Sequence, residues 1–86
     1  MTADRHLASG LTSPPLRAFS ILPDDQTDLV RPIRGLMVAI AGDVSVVTEA
    51  GDEVVLPGLL PGIQYAIRAR RIRATGTNAD GLVGLA

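Results

Sequence analysis

Ala-Gly-Asp begins at Ala41 and again at Ala50, and each copy is followed by a run rich in valine. That nine-residue interval fits two turns at the ends of one short strand. Periodic Gly-Asp can also build calcium-binding coils, but those stack several tandem copies and this chain has two. The repeat therefore reads as hairpin punctuation. A three-residue loop, Ala50 to Asp52, puts Val44, Val46, Val54 and Leu56 on one face. Ser45, Glu49, Glu53 and Pro57 then share the other face with Val47 and Val55, and Glu49 stands opposite Glu53 at the tip.

The same grammar extends along the chain. Residues 16–22 alternate, with Leu16, Ala18, Ser20 and Leu22 on one side and Arg17, Phe19 and Ile21 on the other. An acidic, turn-rich stretch follows at 23–28. Residues 33–41 are apolar on both sides, with Leu36, Val38 and Ile40 backed by Ile33, Met37 and Ala39. A strand of that kind is covered on both faces, and in a chain of 86 residues the second cover is expected from another subunit. Leu56-Pro57-Gly58 and Leu60-Pro61-Gly62 each place Pro before Gly, the signature of a type II turn.

In the next segment Ile63, Tyr65, Ile67 and Ala69 alternate with Gln64, Ala66, Arg68 and Arg70, after which the apolar parity flips to Ile72 and Ala74. One extra residue at Arg70 or Arg71, a β-bulge, restores the faces. Residues 76–81 read as a last turn and 82–86 as a closing strand. The expected fold is all-β, a small antiparallel β-sandwich or barrel formed by residues 16–86. Residues 1–15, with Ser, Gly and a Pro pair but no period, are expected to be an extended N-terminal arm.

Composition narrows the function. The chain is 47% hydrophobic, yet its only aromatic residues are Phe19 and Tyr65, and it has no cysteine for disulfides or thiolate metal sites. So small and apolar a domain is expected to complete its core against a partner, with a second copy of itself the first choice. A net charge of −1 argues against a general polyanion binder. The longest apolar run, residues 35–42, falls far short of the ~20 residues of a spanning helix, and Asp4, Arg5 and His6 interrupt the start. No membrane partner is expected, and synthesis is expected in the cytoplasm.

Catalysis needs convergent acids, bases or nucleophiles. His6 is the only histidine, lysine and cysteine are absent, and Asp24, Asp25 and Asp28 cluster in a stretch that reads as a solvated turn. The chain is therefore expected not to be an enzyme, and no catalytic, metal or cofactor residue is assigned. Arg68, Arg70, Arg71 and Arg73 form the one notable cluster. A phosphate-binding ribbon would interleave several aromatic platforms, and only Tyr65 is near. Arginine suits interface ion pairs, so carboxylates on a neighbouring strand or subunit are the expected partners, with Asp43, Glu49, Asp52 and Glu53 near in sequence. The candidate interface residues are Leu7 and Leu11 in the arm, Met37 and Ala39, and Arg68, Arg70 and Arg71.

From Thr27 onward the chain resembles the head spike-base proteins of gene transfer agents and related tailed phages. The resemblance rests on Thr27-Asp28-Leu29, Arg34-Gly35-Leu36, Ala41-Gly42-Asp43-Val44, Gly51-Asp52, Gly58, Pro61-Gly62 and the arginine strand ending in Ala74-Thr75-Gly76-Thr77. Each element is turn and strand grammar, and their order and spacing carry the likeness. It implies a structural virion component, a homo-oligomer expected to be a pentamer. Its implied place is the exterior of a phage-like capsid, at the fivefold vertex, joining the major capsid protein to a spike or fibre. A carbohydrate- or receptor-binding β-module of a phage tail fibre is the alternative, although sugar sites usually display exposed aromatics.

Overall fold

The computed structural model describes residues 17–86. Six strands form one antiparallel sheet: β1 (Ala18–Ser20), β2 (Ile33–Met37), β3 (Gly42–Thr48), β4 (Glu53–Leu59), β5 (Tyr65–Arg73) and β6 (Val83–Leu85). Their order across the sheet is β1-β6-β2-β5-β3-β4. The all-β antiparallel class expected from the strand-and-turn pattern is what the chain forms. It does so as a single sheet, and among the described residues its edge strands β1 and β4 do not pair with each other to close a barrel.

One hydrophobic cluster holds the domain together. Ile33, Leu36, Val44, Val46, Leu59, Ala69 and Ile72 supply it from the strands. Ile21, Val38, Ala79 and Leu82 supply it from connecting segments, so the loops help to cover the sheet. Val44 to Val47 are buried without a break. β3 lies between β5 and β4, and on the face bearing Ser45 and Val47 its register partners on β5 are Arg73 and Arg71.

The expected bulge in the arginine strand is present. Val47 pairs with Arg71 but Thr48 pairs with Ala69, so Arg70 is the extra residue. The shift lets Ala69 and Ile72, three positions apart, both enter the core. A second irregularity, between Ile33 and Gly35, was not anticipated. Its extra residue lies on β5, since two steps from Ile33 to Gly35 face three from Ala69 to Ala66. Ile33 joins the same cluster as Leu36 and Val38, where strict alternation had put it on the opposite face.

Three local expectations are corrected. β2 ends at Met37 rather than Ala41, because Ala39 and Ile40 turn to pair with Asp80 and Gly81; both are exposed. The hairpin loop is Glu49 to Gly51, since Thr48 N–H donates to the Asp52 carbonyl and Gly51 N–H to the Thr48 carbonyl, each at 2.9 Å. Gly51 takes φ 98°, the left-handed residue that closes a three-residue loop after a type I turn. The register therefore slides by two residues, which keeps the faces and sets Val47, not Glu49, opposite Glu53. Third, Pro57-Gly58 is no turn. It forms a bulge inside edge strand β4, fixed by Gly58 N–H donating to the Asp43 carboxylate at 2.8 Å, while Pro61-Gly62 makes the turn to β5.

Candidate assembly surfaces

β2 pairs with the first part of β5, residues 65–69, and leaves the later part without a strand neighbour on that side. The segment before β2 fills the gap. Asp24 N–H donates to the Ile72 carbonyl at 2.9 Å, and Leu29 N–H to the Arg70 carbonyl at 2.7 Å. This docking brings Asp25 and Asp28 over the arginine strand. Arg71 donates through Nε to Asp28 Oδ1 at 2.8 Å and through Nη1 to the Asp25 carbonyl at 3.2 Å. Arg73 lies 3.7 Å from Asp25 Oδ1 and donates to Glu53 at 3.1 Å.

Asp25 is the hub of this cluster. Its carboxylate accepts from the Thr75 hydroxyl at 2.6 Å and from the Thr75 N–H at 2.9 Å. These bonds, the hydroxyl first, hold the Asp25 carboxyl below its ordinary value of 3.8 against the opposing effect of desolvation, with the Arg73 charge adding to them. Of the carboxylates expected to face the arginines, Glu53 alone does so. Asp43 is engaged with Gly58, and the Asp52 carboxylate lies 3.5 Å from the Thr48 hydroxyl. The aspartates that do pair, Asp25 and Asp28, are more than forty positions away in sequence, and a solvated turn was the expectation for them.

The candidate interface residues separate into groups. Leu7 and Leu11 lie outside the described residues. Met37 is half-buried beside Val83, and Ala39 is exposed. Arg71 is spent on its own chain. Arg68 and Arg70 are exposed, and neither has a carboxylate partner among the described residues.

Two surfaces went unnoticed in the sequence because they depend on strand order. The first is the outer edge of β4, where Val54 and Val55 are each 45% exposed although they belong to a valine-rich strand. The second is the outer edge of β1, where Arg17, Ala18, Phe19, Ser20, Val30 and Arg31 line an open groove of about 670 Å³ and Val30 is fully exposed. Among the described residues no group of three or more His, Cys, Asp or Glu is placed to hold a metal, and no helix is long and apolar enough to cross a membrane.

The chain matches no protein-family model and no curated protein sequence. It is similar over its whole length to a chain in a solved structure described as the capsid of a native GTA (gene transfer agent) particle computed with C5 symmetry. The two are 35% identical, the match covers 100% of each, and the TM-score is 0.81. The chain belongs to this gene transfer agent capsid family. Within this gene transfer agent family member, the outer edges of β1 and β4 have no strand neighbour among the described residues, and Arg68 and Arg70 are exposed.

Proposed function

We propose that the protein is a structural adaptor of a phage-like particle, a ring at the base of a head spike that joins the capsid to a spike or fibre. The observation that carries this reading is the full-length likeness to a chain of a gene transfer agent capsid. That structure was computed with C5 symmetry, which favours a homo-pentamer at a fivefold vertex as the ring. The major capsid protein and a spike or fibre protein are the partners in this proposal, and the capsid exterior is the location. The role is non-enzymatic. Residues 1–15 serve as a docking arm and residues 16–86 as the β-domain, with Leu7 and Leu11 anchoring the arm on a partner.

The tail-fibre alternative gains nothing from the structure. Phe19 and Tyr65, the chain's two aromatics, are half-buried against the core, and the Tyr65 hydroxyl is occupied by the Leu60 N–H at 2.7 Å. The test is co-production of the protein with capsid protein, followed by purification of the particles and mass analysis of their components. The adaptor reading expects the protein on the particles at about five copies per occupied vertex. Particles that assemble fully without retaining it would overturn the reading.

A further inference from the structure

We propose that neighbouring copies join head to tail by adding the outer edge of β4 of one copy to the outer edge of β1 of the next, so that one sheet continues around the ring. The proposal rests on the ring reading above and names the contact that builds it.

Hydrogen-bond parity supports the match. Thr48 and Asp52 form a bonded pair, since Thr48 N–H donates to Asp52 O at 2.9 Å. Alternation along an antiparallel ladder then turns the N–H and C=O of Glu53 and Val55 away from β3 and towards the outside. Pro57, the next outward position, has no N–H to leave unpaired, as suits an edge. On β1, Arg17 and Ala86 exchange both bonds at 2.8 Å, and Ile21 N–H donates to Leu82 O at 2.9 Å. The residues that face outward there are Ala18 and Ser20. Each edge thus offers two donor–acceptor residues with the same spacing.

Side chains agree with that pairing. An antiparallel register of Ala18 with Val55 and Ser20 with Glu53 sets Phe19 opposite Val54 and covers a half-exposed valine with an aromatic ring. A fivefold ring also requires a head-to-tail contact, since two β4 edges related by a twofold axis would close a dimer and stop there.

The test uses the full chain, which has no cysteine of its own. A variant carrying Ala18→Cys and Val55→Cys, oxidised at high protein concentration, is expected to give a ladder of covalent oligomers ending at a closed ring. The Val55→Pro variant removes one outward N–H without touching a bond to β3. It is expected to keep the circular-dichroism spectrum of the parent and to be monomeric by native mass spectrometry. Absence of the ladder, or a disulfide formed within single chains, would overturn the proposal. So would a folded Val55→Pro variant that still forms rings. Should that variant fail to fold, the cysteine pair decides alone. Rings that persist without the ladder would remove this contact and leave the adaptor reading standing, whereas a ladder-forming protein absent from particles would do the reverse.

Discussion

Asp25 and Thr75, fifty positions apart, hold each other by two hydrogen bonds, from the Thr75 hydroxyl at 2.6 Å and its N–H at 2.9 Å. This clamp fastens the acidic segment before β2 to the end of the arginine strand, and it makes stability depend on pH in a definite direction. The folded state holds the Asp25 carboxyl below 3.8, so the unfolded chain binds the proton more readily. The stabilisation is therefore complete above that value and is lost as pH falls through the lower folded-state value. Thermal melting of the parent and of Asp25→Asn, from about pH 6 down to about pH 2, should show a gap that is widest near neutrality and narrows in acid. A gap of constant size would contradict the clamp.

Arginines of one strand should behave differently from one another. Arg71 pairs with a half-exposed Asp28 but is itself only 27% exposed and also donates to the Asp25 carbonyl, so Arg71→Ala should cost about 1–2 kcal/mol of unfolding free energy. The double change Arg68→Ala and Arg70→Ala removes no described ion pair and should alter stability by less than about 0.5 kcal/mol. Urea titration measures both. If the exposed pair serves assembly, the same double variant should be incorporated into particles less well than the parent. Normal incorporation with loss of associated DNA would assign the pair to nucleic acid instead.

Gly84 lies where β6 crosses the core. A Cβ there would stand 2.7 Å from Ile33 Cγ2 and 2.8 Å from Ile21 Cδ1, closer than packed carbons tolerate. Gly84→Ala should destabilise the domain by about 1–3 kcal/mol, read as a lower denaturant midpoint at unchanged slope. An unchanged midpoint would mean that β6 can move away from Ile21 and Ile33 at no cost.

What could be read in the sequence was whatever local periodicity determines. The parity flip between Ala69 and Ile72 announced the bulge at Arg70, because only an extra residue lets both side chains face the core. The hairpin was legible in its faces but not in its register, although the signal was present: Gly51 as the third loop residue supplies the positive φ that such a loop needs. Pro57-Gly58 misled because the same dipeptide suits a turn and an edge bulge, and only the Asp43 side chain decides between them. The Asp25–Thr75 and Asp28–Arg71 contacts had no local signature, since they follow from the gap that β2 leaves beside β5. The edge surfaces were hidden for a similar reason. Which strands stand at the ends of the order β1-β6-β2-β5-β3-β4 is a property of topology, to which alternation is blind.

In the adaptor proposal, residues 1–15 are the element that attaches the protein to the particle, and this can be tested separately. If they serve as a docking arm, their removal should leave the thermal transition of the β-domain nearly unchanged while abolishing attachment to capsid or spike. A truncated chain that fails to fold would instead make this segment part of the core.

A cryo-electron microscopy map of particles containing the protein tests the adaptor reading most directly. The six-stranded domain is expected as a ring on the outer surface of the fivefold vertex, between capsid and spike, with β4 of each copy against β1 of the next. Vertices without the domain, or single copies scattered elsewhere on the particle, would contradict it.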